Sequence, residues 1–347
     1  MNRQTQAKQD IDWKSLDFSY KKTDSRFHAV WEKGVWSEGE LVESEMMQMH
    51  EGAPVLHYAQ SCFEGLKAFT SPTGKVLLFR PDLNDHRMQE TSDRLLMPRV
   101  PTELFMKGVI ETIKANLSWV PPYGTGASLY IRPFLIGSGE NLGLKPAERY
   151  DFRVFVSPVG PYYKAGGLPT IKLAVTNFDR AAPLGTGHVK TGANYAGGLL
   201  ATKTAKDLGA NEALYLDAGS RKFLEEAGSA NIVLSMKGGR FVTPKSSSIL
   251  PSVTRRSIMT LAEDQLGLKC EERPVEFLKE VSEIEEFACC GTAAVLSPVS
   301  SVLVEDKWIT FGENSNGPGP IMTKLYNLLT QIQLGEMKDP YGWTVEV

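Results

Sequence analysis

Residues 223–258 read FLEEAGSANIVLSMKGGRFVTPKSSSILPSVTRRSI. Glu226 is followed by Ala227, Gly228, Ser229, Ala230 and Asn231, and then by the strand-like run NIVLSM. That order places a carboxylate beside a turn instead of on an exposed helical face. Lys237-Gly238-Gly239-Arg240 has hairpin-turn composition, and RFVTP reads as the returning strand. An Ile-Leu-Pro-Ser-Val-Thr run then leads into a helix over 254–267 that ends on Gly267. The free N–H groups at a helix start can hold an anion such as a phosphate. Taken alone, the acids also fit a solvated helix end, and the junction fits an ordinary loop-to-helix connection.

Working upstream, GTGHVKTGANY (Gly185–Tyr195) sets Lys190 inside a glycine-rich loop. A mobile surface loop is one reading. The other is a lysine in tight backbone surroundings that let a cofactor approach and bond to its amine. A helix is predicted over 195–208 with Gly209 as its C-cap. Strands are predicted at IKLAVT and EALYLDA, and EEFACCGT reads as a strand entering a turn. A last helix is predicted over 320–334. In the first half, VLLFR, ASLYIRPFLIG and YDFRVFVSPVG read as strands. Helices are predicted over 81–97 and 102–120, the second with Thr102 as N-cap and a stripe of Phe105, Val109, Ile113 and Leu117. Trp13–Val55 reads as irregular. PYYKAGGLP (Pro161–Pro169) is the best linker candidate.

The chain has 347 residues, which at about 150 per domain suggests two. Two mixed α+β domains are expected: a smaller one over 1–162, an interdomain loop over 163–172, and a larger one over 173–347. A hydrophobic share of 42% with 23% charged residues excludes a disordered chain. A net charge of −3 argues against a generic nucleic-acid binder. Four cysteines (Cys62, Cys270, Cys289, Cys290) without CxxC spacing fit reduced thiols and a cytoplasmic protein. The polar start and the absence of an apolar run of about 20 residues argue against secretion and membrane insertion. Val189 stands where a phosphate-binding P-loop needs glycine, and GSGENLG misses the dinucleotide spacing by one residue. His28, His50, His57, His86 and His188 lack metal-ligand spacing, and there is no GxSxG elbow.

The segment from Glu226 through Asn231 to Arg255 resembles the signature of class IV pyridoxal-phosphate aminotransferases: Glu-x-Gly-x-x-Asn, Phe-x-Thr, then Leu-x-Ser-Val-x-Arg. Val233 departs, standing where that pattern has an aromatic. LHYAQSCFEGLKAF, LFRPDLNDHRMQ, LYIRPFLIG, HVKTGANYAGGL and CGTAAVLSPV resemble, in order and spacing, the branched-chain group of that family. The resemblance implies an α+β enzyme of the D-amino-acid-aminotransferase-like type (fold type IV), with its active site at the domain interface. It implies pyridoxal 5'-phosphate as cofactor and transamination of leucine, isoleucine or valine with 2-oxoglutarate in a ping-pong cycle. A homodimer acting on small amino acids and 2-oxo acids is implied too. D-amino-acid aminotransferase, aminodeoxychorismate lyase and a non-catalytic cofactor-binding protein are the alternatives.

By resemblance, Lys190 bonds the cofactor and serves as acid and base. A lysine amine can be tuned downward by its surroundings, which suits both tasks. Glu226 is implied to contact the pyridine nitrogen; neighbouring Glu225 does not fit the spacing. Tyr195 is implied to hydrogen-bond the phenolic oxygen. Arg87, Val253, Thr254 and Thr292 are implied for the phosphate. Tyr58, Phe63, Tyr130 and Tyr162 are implied as apolar walls, with core packing as the other reading of each. Arg132 shares a strand face with Tyr130 and wants an anionic partner, which the family assigns to a substrate carboxylate. Thr292 and Ala293 are implied for the α-carboxylate, and Ser229 as a pocket residue. Mammalian members carry a redox-active CxxC after the Gly-Thr-Ala turn. Ala294 and Ser297 stand at those places, so no thiol switch is expected.

Overall fold

The computed structural model describes residues 10–160, 168–312 and 317–347. The chain forms two compact units. The first takes in Met1–Lys164, Val189–Gly192 and Gln331–Val347, and the second Ala165–His188 and Ala193–Thr330. The expected interdomain loop falls partly outside the described residues, and Tyr162 falls wholly outside them.

The first unit is built on a nine-stranded sheet whose pairings are all antiparallel. Its path runs Thr344–Glu346, Val76–Phe79, Leu66–Thr70, Ser128–Gly137, Arg149–Val159, Arg26–Glu32, Val35–Trp36. Ser61–Phe63 adds to the edge of Ser128–Gly137, and Glu40–Val42 to Arg26–Glu32. Helix Thr102–Ala115 lays Leu104, Phe105, Val109 and Ile113 on this sheet. Each such side chain contributes about 1.5–3 kcal/mol by leaving water. Gly108 permits the contact, since a Cβ there would stand 2.9 Å from the Phe27 ring.

The expectation of an irregular Trp13–Val55 is corrected: three strands fall there. Charges at Arg26 and Glu32 mask the alternation of RFHAVWE, yet Arg26 is buried. Thr102 is not the N-cap. Pro101 holds that position, and the Thr102 hydroxyl donates to Asp85 Oδ2 at 2.7 Å. The helix stops at Ala115 because Asn116 leaves helical geometry, and its side chain serves the Asp24–Ser25 backbone.

The second unit has a mixed nine-stranded sheet: Leu224–Ala227, Glu212–Leu216, Ile171–Val175, Val295–Val304, Ile284–Gly291, Asn231–Met236, Arg240–Pro244, Lys269–Arg273, with Lys307–Thr310 beside Val295–Val304. The Lys237–Arg240 hairpin forms as expected, joining Asn231–Met236 to Arg240–Pro244. Lys269–Arg273 carries too many charges to read as a strand, and parallel pairing with Arg240–Pro244 makes it one. Helix Val253–Leu266 follows the Ser252 N-cap, whose hydroxyl accepts from the Arg255 N–H. The helix predicted over 195–208 starts at Gly192 and breaks at Gly198 into Gly192–Gly197 and Leu199–Asp207. Among the described residues, no helix is long and apolar enough to cross a membrane.

Candidate active site

In the first unit, the segment Val189–Gly192 is stitched to the edge strand Ser61–Phe63. The Phe63 N–H donates to the Lys190 carbonyl at 3.2 Å, and Thr191 pairs with Cys62. The Lys190 N–H donates to Thr91 Oγ1 at 3.1 Å. These bonds explain why a lysine from the middle of the chain lies with the first unit. The Phe63 ring lies 4.7 Å from Lys190 Nζ and 4.8 Å from the Arg132 guanidinium carbon. Burial, reinforced by the Arg87 guanidinium, pushes the Lys190 amine down to about 8, against the opposing pull of Glu64. Such an amine is about one-tenth neutral at pH 7, a far larger fraction than in a solvated lysine.

Arg87, on helix Pro81–Arg94, is buried. Its Nε and Nη2 donate to the two oxygens of Glu64, each at 2.7 Å. Glu64 is wholly buried and also takes Asn84 Nδ2 at 2.7 Å. Tyr130 and Arg132 project from one face of their strand, and Arg132 Nη2 donates to the Tyr130 hydroxyl at 3.1 Å. Gly65 makes room for that hydroxyl, because a Cβ would fall 2.1 Å from its oxygen. Arg132 Nε is buried without a hydrogen-bond partner, and no acid pairs with Arg132 among the described residues. Lys190, Arg87, Phe63, Tyr130 and Arg132 thus come together. Tyr58 stands apart: it is 40% exposed, and its hydroxyl donates to the Leu142 carbonyl at 2.6 Å.

In the second unit, Glu226 is fully buried on strand Leu224–Ala227. Arg180 Nε lies 2.5 Å from one carboxylate oxygen, and Asn231 Nδ2 donates to the other at 2.6 Å. Adjacent strand residues point oppositely, and Glu225 instead accepts from the Ser246 and Ser248 hydroxyls. Val253 and Thr254 open helix Val253–Leu266 as buried residues, at the end where helix N–H groups have no intrahelical acceptor. Gly228 and Ser229 form the two-residue turn closed by the reciprocal Ala227–Ala230 bonds, with Ser229 exposed at its tip. Thr292 and Ala293 lie in the turn between strands Ile284–Gly291 and Val295–Val304. Val295, which closes that turn, has φ +64°. A β-branched residue there stores about 1–3 kcal/mol of strain. Tyr195 lies on helix Gly192–Gly197, half-buried, one residue after Asn194, whose amide donates to the Thr186 carbonyl at 2.7 Å.

An amino-transferase class IV family model matches residues 61–302. The chain belongs to the class IV aminotransferases. It is 50% identical over 341 residues to the branched-chain-amino-acid aminotransferase of Helicobacter pylori, covering 98% of each chain. Its identity to the enzyme of that name from Haemophilus influenzae is 48%, over 97% of this chain and 99% of the other. The crystal structure of the Escherichia coli branched-chain amino acid aminotransferase superposes with a TM-score of 0.78 at 26% identity, over 93% and 99% of the two chains. The fold is accordingly that of fold type IV enzymes.

Pyridoxal 5'-phosphate is the cofactor of class IV aminotransferases. The residues here fit it. A lysine amine pushed down to about 8 is present, Val253 and Thr254 supply the N–H groups of a helix start, and Thr191 Oγ1 is a buried polar atom without a partner among the described residues. The sequence reading named the site's outward-facing groups but not their anchors, Glu64 and Arg180. Glu64 leaves a faint signal, an acid between Phe63 and Gly65 in an otherwise apolar run. Arg180, in NFDRAAP, leaves none.

Proposed function

We propose that this class IV aminotransferase transfers the amino group of leucine, isoleucine or valine to 2-oxoglutarate. The buried Lys190 amine, set to about 8 beside Arg87, carries the reading. Bound pyridoxal phosphate supplies an electron sink conjugated to the amino acid's Cα. Lys190 Nζ anchors the cofactor, and as a free amine moves the proton to and from Cα; an amine near 8 does both at neutral pH. Glu226 would meet the cofactor's ring nitrogen as a negative charge, and Tyr195 would steady its phenolic oxygen. The N–H groups of Val253 and Thr254, the Arg87 guanidinium and the Thr292 hydroxyl hold the phosphate.

Phe63 and Tyr130, with Tyr162, wall the aliphatic side chain, and Ser229 lines the same pocket. Arg132, whose half-buried side chain leaves Nε without a hydrogen-bond partner and pairs with no acid among the described residues, receives the distal carboxylate of glutamate. The turn at Thr292 and Ala293 donates to the α-carboxylate. The protein works as a cytoplasmic homodimer, which size-exclusion chromatography with light scattering tests as a mass of twice 38.3 kDa.

The deciding experiment is spectroscopic. Purified protein should be yellow, and its absorbance should shift on adding L-leucine but not D-alanine. Lys190→Ala should abolish turnover. A Lys190→Ala variant that still transaminates at the wild-type rate would end the reading.

A further inference from the structure

The Arg180 side chain is buried and reaches three segments at once. Its Nε lies 2.5 Å from Glu226 Oε2, and its Nη1 donates to the Gly187 carbonyl at 2.9 Å and the Ser248 carbonyl at 2.7 Å. Gly187 belongs to the glycine-rich loop that leads to Lys190. Ser248 belongs to the run that leads to helix Val253–Leu266. Glu226 stands on the strand between them in sequence. The same two carbonyl segments touch directly: a Cβ on Gly187 would fall 2.3 Å from the Ser248 carbonyl oxygen, so only glycine admits this approach. A guanidinium offers its donors in a rigid planar fork, which an ammonium cannot imitate.

We propose that Arg180 is a positioning residue for the cofactor site, which holds Glu226 in place as a carboxylate ion and sets the Gly187 and Ser248 loops around it. The inference rests on the reading of Glu226 as the partner of the ring nitrogen. A buried carboxylate without a cation takes up a proton instead of remaining charged. With Arg180 on one oxygen and Asn231 on the other, Glu226 has both oxygens engaged and stays an anion. An ionised Glu226 would then favour the protonated form of a ring nitrogen set against it. Arg180 itself touches neither substrate nor reacting atoms; it acts through Glu226 and two backbone carbonyls.

The test compares Arg180→Met, Arg180→Lys, Gly187→Ala and Glu226→Gln in the full-length protein. Three quantities are measured: the dissociation constant for pyridoxal phosphate from titration of the apoprotein, the absorbance of the bound cofactor from pH 5 to pH 9, and kcat against KM for L-leucine. Arg180→Met should weaken cofactor binding at least about tenfold and lower kcat about 10- to 100-fold with little change in KM. It should also introduce a pH-dependent change in the cofactor spectrum that the wild type lacks. Arg180→Lys, which keeps the charge but loses the fork, should restore the wild-type spectrum while leaving cofactor binding weakened. Gly187→Ala should weaken binding without the spectral change. If Arg180→Met folds and loses thermal stability alone, with spectrum and affinity at wild-type values, the inference is overturned. Should Arg180→Met fail to fold, an Arg180→Lys variant with wild-type affinity overturns it equally. A Glu226→Gln variant with an unaltered cofactor spectrum would instead remove the reading of Glu226; an altered one beside an unaltered Arg180→Met removes only the role of Arg180.

Discussion

Glu64–Arg87 in the first unit and Arg180–Glu226 in the second are both buried ion pairs, and they are built in opposite senses. In the first, the arginine is the group expected to meet the phosphate, and a wholly buried glutamate grips it through two 2.7 Å bonds. In the second, the carboxylate is the group proposed to meet the cofactor's ring nitrogen, and an arginine grips it through one oxygen while Asn231 takes the other. A buried ion pair is weak evidence for stability, since desolvation offsets much of the attraction. The comparison teaches that each charge proposed to meet the cofactor is held by an opposite charge beside it. Orientation, more than stability, is what such pairs supply here.

The largest effect that would break the comparison is loss of one member. Glu64→Ala leaves the Arg87 guanidinium buried without its counter-ion and should cost about 3–5 kcal/mol in urea unfolding of the apoprotein. The double variant Glu64→Met/Arg87→Met should recover most of that loss while losing cofactor affinity. If the single variant is neutral, the pair is not the anchor described. Next in size, Asn231→Ala leaves one Glu226 oxygen unsatisfied and should cost about 1–3 kcal/mol by the same measurement. The 2.5 Å contact from Arg180 should hold the carboxylate in place despite it.

Thr91→Val is milder. It removes a hydroxyl that accepts from the Lys190 N–H and donates to the Arg87 carbonyl at 2.8 Å. A loss of about 1 kcal/mol is expected. The pH dependence sharpens the picture on the side of Lys190. Its amine titrates near 8 when folded and near 10.5 when unfolded, so the unfolded chain binds more protons between those values. The contribution of Lys190 to apoprotein stability should therefore rise from pH 8 toward pH 10.5. Lys190→Met should flatten that rise in thermal midpoints measured across the window; an unchanged slope would place the amine in water.

Much of this architecture was legible from local patterns. The Lys237–Arg240 hairpin, the helix closed by Gly267 and the Tyr130–Arg132 strand face all follow from turn chemistry and alternation over a few residues. What escaped depends on partners far away in sequence. Lys269–Arg273 becomes a strand only beside Arg240–Pro244, and strand Arg26–Glu32 is masked by Arg26, whose burial no local pattern reveals. The site divides the same way. Lys190, Glu226 and the Val253–Thr254 helix start stand in recognisable spacings. Glu64 and Arg180 matter only because folding brings them 23 and 46 residues along the chain to Arg87 and Glu226.

Strand Thr344–Glu346 forms an edge of the first sheet by pairing with Val76–Phe79, and the Trp343 carbonyl accepts from the Arg80 N–H at 2.7 Å. The strand that completes this edge thus follows the whole second unit in the sequence. Domains synthesised first usually close first, but this one waits. Until Thr344–Glu346 emerges, the sheet that carries Phe63, Tyr130 and Arg132 keeps an open edge, and the nascent chain has an interval in which another strand could take that place.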